Sequence, residues 1–110
     1  MNKAFQRSDR VAEQIRRDLA VLVQTEVKDP RVGMISLTSV ELTPDYAHAK
    51  VYFTTMDVEH LKDIQTGLKR ASGFLRRELG RRIKIHTLPE LHFIYDASLE
   101  RGASLTDLIN

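Results

Sequence analysis

The hydrophobic period changes three times along this chain. Val11, Ile15, Leu19 and Leu22 recur at steps of four, four and three, while Arg10, Glu13, Arg16 and Arg17 fall off that face. This predicts an amphipathic helix, with Ser8 as its N-cap and Asp9 set against the positive end of the helix dipole. It should end before Asp29-Pro30, because the residue preceding a proline is pushed away from helical angles.

From Met34 the period shortens to two. Ile35 and Leu37, then Val40 and Leu42, alternate with polar residues, and the step of three from Leu37 to Val40 implies a bulge or a change of face. Thr43-Pro44-Asp45 reads as a turn, and Ala49, Val51 and Phe53 then alternate with His48, Lys50, Tyr52 and Thr54. The two segments predict an antiparallel hairpin with one buried face.

Helical spacing returns after Asp57, a candidate cap, with Leu61, Ile64, Leu68, Ala71, Leu75 and Leu79 on one side. Gly67, Gly73 and Gly80 interrupt this pattern; a glycine in a helix interior costs on the order of 1 kcal/mol relative to alanine. A break at Ser72-Gly73 is therefore expected. A last strand is expected at Leu91 to Tyr95, introduced by Pro89 and rich in aromatic and branched residues. Residues 97–110 read as a short C-terminal tail of one domain spanning 1–110.

The predicted order is helix, strand, strand, a helix broken in the middle, strand. A long helical crossover makes the second and third strands parallel if they share a sheet, whereas the hairpin is antiparallel. The fold class is then α+β, with a mixed three-stranded sheet covered on one face by helices.

Composition changes this picture little; the distribution of charge changes it more. At 110 residues, 42% hydrophobic and 29% charged, the chain has the make-up of one globular domain. With no cysteine there is no disulfide framework, thiolate metal site or cysteine nucleophile, and a cytoplasmic protein is expected. No window approaches the roughly 20 apolar residues that span a bilayer. The net charge is only +2, yet Lys69, Arg70, Arg76, Arg77, Arg81, Arg82 and Lys84 stand against Glu78 alone, so the window 69–84 carries +6 and the rest of the chain −4.

On a helical wheel Arg70, Arg77, Arg81 and Lys84 cluster roughly 180 to 240° from Leu75, and Gly73 falls on that basic side. Arg82 lands on the apolar side, a sign of a helix end or bend nearby. A cationic outer face that merely keeps a helix soluble is one reading. The scarcity of interleaved glutamate and the excess of arginine, whose planar fork suits phosphate, favour nucleic acid or another polyanion. A helix starting after Ser72-Gly73 would also present free N–H groups to an anion. Because the exposed side chains are almost all arginine, phosphate positioning is expected rather than base readout.

Other chemistry finds little support. His48, His60, His86 and His92 have no metal-ligand spacing, and no glycine-rich phosphate loop ends in Lys-Ser/Thr, so no catalytic residue, metal ligand or cofactor site is assigned. Phe74, beside the expected break, reads as core, with base stacking the alternative.

Five blocks, 8-SDRVAEQIRRDL-19, 28-KDPRVG-33, 49-AKVYFT-54, 71-ASGFLRRELG-80 and 89-PELHFIYDASLERG-102, resemble the bacterial ribosome-binding factor A family in register over nearly the whole chain. The resemblance implies a KH-like domain of type II, α-β-β-α-kink-α-β, in which an Ala-x-Gly kink, here Ala71, Ser72 and Gly73, replaces the usual Gly-x-x-Gly loop. It implies a non-enzymatic assembly factor for the free small (30S) ribosomal subunit that contacts 16S rRNA, assists late maturation and 5′-end processing, and acts in the cold. Expected RNA-binding residues are Lys69, Arg70, Ser72, Gly73, Arg76, Arg77, Arg81 and Lys84, with Arg10, Arg17, Lys28 and Arg31 as further candidates. A monomer with no small-molecule substrate and no membrane partner is expected. The alternative is a protein-interaction module that docks an acidic partner.

Overall fold

A computed structural model describes residues 7–30, 32–85 and 87–97. Helix α1 (Arg7–Thr25) leads through a 3-10 turn (Val32–Met34) into β1 (Ile35–Leu42) and β2 (His48–Thr55). A second 3-10 turn (Val58–His60) opens α2 (Leu61–Arg82), and β3 (Glu90–Tyr95) follows. The sheet order is β1-β2-β3, with β1 and β2 antiparallel and β2 and β3 parallel. The α+β class and the mixed sheet agree with the hydrophobic pattern.

The irregular step between Leu37 and Val40 is a bulge: the register slips between Leu37, opposite Phe53, and Ser39, opposite Tyr52. Thr38 is the extra residue, and its hydroxyl donates to Asp96 Oδ2 at 3.1 Å. The slip lets Leu37 and Val40 both pack against the core although they are three apart. At the hairpin, Asp45 Oδ1 accepts from the Ala47 N–H at 3.0 Å and from the Thr43 hydroxyl at 2.7 Å. These bonds hold the Asp45 carboxyl below the usual carboxylate range, the Ala47 amide contributing most.

Both helices lie on one face of the sheet, α1 against β1 and α2 against β3. Ile15, Leu19 and Leu22 of α1 and Ile64, Leu68, Leu75 and Leu79 of α2 are buried over Ala49, Val51, Phe53 and Leu91. At about 1.5–3 kcal/mol for each large apolar side chain taken out of water, these faces fix where the helices sit. The opposite face, with Ser36, Glu41, His48, Lys50 and Glu90, is exposed.

Three local expectations are corrected. Helix α1 is already formed at Arg7, so Ser8 lies one residue inside it rather than at its cap. Asp57 makes no side-chain cap; its carboxylate pairs with His60 Nδ1 at 2.8 Å and opens the 3-10 turn instead. Most consequentially, α2 is one helix from Leu61 to Arg82, with no interruption at Ser72-Gly73. Four buried side chains on its apolar face outweigh the roughly 1 kcal/mol propensity cost of each glycine. The Ser72 hydroxyl, a potential competitor for the backbone, donates within the helix to Lys69 O at 2.8 Å. The N–H groups expected to be freed for an anion are taken up in the helix.

The wheel position of Arg82 agrees with the structure. The helix stops there, and Ile83 turns extended, with φ −119° and ψ 129°. The tail from residue 98 onward, with its leucines, lies outside the described residues.

Candidate nucleic-acid interface

The polar side of α2 divides into two stripes with different surroundings. Lys69, Ser72 and Arg76 follow one another at helical steps on the side turned to β3. Lys69 and Ser72 line a cleft of about 320 Å³ with Glu90, His92 and Phe93. Arg76 is committed to the backbone: its Nη2 donates to Leu88 O at 2.6 Å and its Nε to Pro89 O at 3.1 Å. It thereby fastens the segment that leads into β3 onto the helix.

Arg70, Gly73, Arg77 and Arg81 form the second stripe, at steps of three, four and four, and all four are exposed. A β-carbon on Gly73 would meet only Arg77 Nη1, at 3.8 Å, so the surface there is low and open. Among the described residues neither Arg70 nor Arg77 has a carboxylate within ion-pairing distance. Arg81 stands 3.7 Å from Glu78, an exposed pair of little strength. Lys84 is exposed just past the helix end, in the extended segment.

The cations expected to act together are thus sorted by the fold. Arg76 supports structure through carbonyls, and Arg82 turns toward α1, 4.0 Å from Asp18. Arg76, Arg81 and Arg82 find partners in backbone oxygens, Glu78 and Asp18, and of these only Glu78 lies on the same helix. Ala71 is half-buried against the core, as is Phe74, in keeping with the core reading of that ring.

Further candidates are spread over the surface. Arg10 and Lys28 are exposed, and Arg31 lies outside the described residues. Arg17 Nε donates to Glu13 at 3.3 Å, sharing that carboxylate with Arg16, whose Nη2 is 2.6 Å away. The hydrogen bond from Arg16, with Arg17 adding to it, lowers the Glu13 pKa to about 2. The loop that carries Lys28 lies beside α2: Asp29 Oδ2 stands 3.0 Å from where a β-carbon on Gly67 would be. Gly67 is one turn ahead of Ala71-Ser72-Gly73, so two of the sequence blocks adjoin in space.

One cluster has no signal in the sequence. His48 and His92, far apart along the chain, come together with Glu90 on the open sheet face. Alternation in each strand points both histidines away from the core; only the β2–β3 register joins them. Among the described residues, no helix is long and apolar enough to cross a membrane.

Two helices over one face of a mixed sheet, with a basic helix leading into the parallel third strand, define a KH-like α+β domain. The chain belongs to the ribosome-binding factor A family, whose model matches residues 7–109. Ribosome-binding factor A of Dechloromonas aromatica is 76% identical over 108 residues, covering 98% of this chain and 88% of that protein. The crystal structure of ribosome-binding factor A from Thermus thermophilus superposes with a TM-score of 0.73 at 28% identity, covering 80% of this chain and 93% of that one. A Thermus thermophilus homology model fitted into the cryo-EM map of a 30S complex gives a TM-score of 0.68 at 27% identity, covering 82% and 96%.

Proposed function

We propose that this protein binds the free small ribosomal subunit by laying the Arg70–Gly73–Arg77–Arg81 stripe of α2 along the phosphates of 16S rRNA. The observation that carries this reading is the pairing of two arginines that lack carboxylate partners among the described residues with a glycine that leaves room beside them. Arginine forks hold phosphate oxygens bidentately, and a surface without a β-carbon lets the sugar-phosphate chain approach. Lys69 and Ser72, on the cleft toward β3, and Lys84 past the helix end extend the contact; Arg10, Arg17, Lys28 and Arg31 are secondary contacts. The Ala71-Ser72-Gly73 segment acts through its low profile, within an unbroken helix.

The role is non-catalytic. Family membership supports an assembly factor that assists late maturation and 5′-end processing of 16S rRNA, acts in the cold, and works in the cytoplasm as a monomer. The apolar faces of both helices are spent on the sheet, which supports the monomer.

Binding of purified small subunits to an Arg77→Ala, Arg81→Ala double variant tests the interface. The expected result is weaker binding and a shallower salt dependence, by roughly one unit of slope for each phosphate no longer held. Unchanged affinity and slope in a folded variant would remove these residues from the interface. Co-sedimentation that survives RNA digestion would point instead to an acidic protein partner.

A further inference from the structure

His48 and His92 are 44 positions apart in sequence and meet because β2 and β3 are parallel and in register. His48 lies opposite Glu90, and Lys50 opposite His92. Strand alternation sends all three potential ligands to the face away from the helices, where His48 and Glu90 are exposed and His92 is half-buried. His48 Nδ1 stands 2.9 Å from His92 Nε2 and 3.9 Å from Glu90 Oε1. One ligand atom from each residue falls within 4.8 Å of the other two.

The backbone beneath them is tied down. Glu90 N–H donates to Ala47 O at 2.8 Å, and Thr43 N–H to His48 O at 3.0 Å. The His48 N–H donates to the Thr43 hydroxyl at 3.1 Å. Only side-chain rotations are left to adjust the three donors.

We infer that His48, Glu90 and His92 form a site for an imidazole-preferring divalent transition metal, represented by zinc, with a fourth coordination position open to solvent. Two imidazole nitrogens and a carboxylate oxygen are a zinc donor set, at bond lengths of about 2.0–2.2 Å that place tetrahedral ligand atoms about 3.3–3.5 Å apart. The His48–His92 gap is shorter than that and the His48–Glu90 gap longer, each by about half an ångström, while His92 and Glu90 are bounded only by 4.8 Å, so side-chain rotation, chiefly of Glu90, must close the set. Without a metal, the two rings can share one proton, one donating and the other accepting. That arrangement leaves Glu90 only a 3.9 Å approach to His48, whereas a metal uses all three groups. A hard cation such as magnesium does not fit, since it takes oxygen ligands.

The local field opposes the cation in part. Lys50 shares that pleated face, two residues along β2 from His48 and opposite His92, with Glu41 of β1 on its other side, and Lys69 lines the cleft shared by Glu90 and His92. Removing Lys50 should therefore tighten metal binding, an effect that a merely structural histidine pair does not produce.

Calorimetric titration of the untagged full chain with zinc chloride, and separately with magnesium chloride, tests the site. One zinc per chain is expected. His48→Gln and His92→Gln should each weaken binding by at least about tenfold, Glu90→Gln should weaken it, and Lys50→Ala should strengthen it. His60→Gln, on a histidine paired with Asp57 elsewhere, should leave it unchanged. No saturable zinc binding, unchanged affinity in His48→Gln with its fold intact by circular dichroism, or equal binding of magnesium would each overturn the proposal.

Discussion

Gly67 lies so close to Val32 that a β-carbon on it would come within 2.9 Å of Val32 Cγ2. Val32 is fully buried and β-branched, so it cannot turn aside, and Asp29 closes the gap from another direction at 3.0 Å. Six residues further along the same helix, a β-carbon on Gly73 would meet only the far end of Arg77, at 3.8 Å. Gly67→Ala and Gly73→Ala should therefore move stability in opposite directions. Alanine returns up to about 1 kcal/mol of helix propensity at either position, but overpacking costs about 1–3 kcal/mol at Gly67. In thermal unfolding Gly73→Ala should melt several degrees above the parent chain and Gly67→Ala below it, at roughly 4–8 °C per kcal/mol for a domain of this size. A Gly67→Ala protein that melts higher than the parent would refute the close approach.

Neighbouring arginines should separate in the same way. Arg76→Ala removes the donor that holds the Leu88 and Pro89 carbonyls, and with its exposure discounted the destabilisation is about 1–2 kcal/mol. Arg77→Ala removes no such bond and should stay within about 0.5 kcal/mol. Urea midpoints check the stability, and co-sedimentation with the small subunit checks the binding, where Arg77→Ala should be the variant with a specific defect in an intact fold. Equal midpoints for the two variants would show that the carbonyl hydrogen bonds contribute nothing.

Bulk at Gly73 tests the interface without touching charge. Leucine is a far better helix former than glycine and its β-carbon would meet only Arg77 there, so Gly73→Leu should fold at least as stably as the parent. Subunit binding should fall, because the side chain stands where the phosphate chain is proposed to approach. Binding at the parent level in the folded variant counts against a close approach at this point.

The Glu13 carboxylate offers a test by titration. Its pKa in the folded protein, about 2, is below the ordinary 4.5, chiefly through the Arg16 hydrogen bond. A depressed folded value means that the contribution to stability is present above the ordinary pKa and is lost as pH falls from about 4.5 through about 2. The group is exposed, so the effect is small and screened by salt. Followed by NMR, Glu13 should titrate well below the ordinary 4.5, and Arg16→Ala should move it back up; no movement would rule out Arg16 as the cause.

How much of the chain is legible in its sequence depends on the range of the interaction. Helix α1, the hairpin with its bulge, and β3 follow from local periodicity, because an apolar side chain at a fixed step has one face on which to be buried. The end of α2 is foreshadowed by Arg82 falling on the apolar side. The continuity of α2 is not legible, because glycine and serine propensities are local costs, whereas the burial that overrides them comes from the sheet. The basic stripe is legible as a charge excess; its division into free and committed arginines is not, because Leu88 O, Pro89 O and Asp18 lie on other elements.

The three glycines of α2 look alike in sequence, yet Val32 and Asp29 confine Gly67, Leu88 confines Gly80 at 2.6 Å, and Gly73 alone of these is open. The meeting of His48 with His92 likewise belongs to the parallel register of β2 and β3. What the sequence determined by itself was the order of elements, the faces they bury and the helix that gathers the positive charge, since each depends on neighbours a few residues away. Tertiary structure decided which arginines stay free, which glycine leaves room for a ligand and which histidines meet, because those depend on segments that only packing brings together.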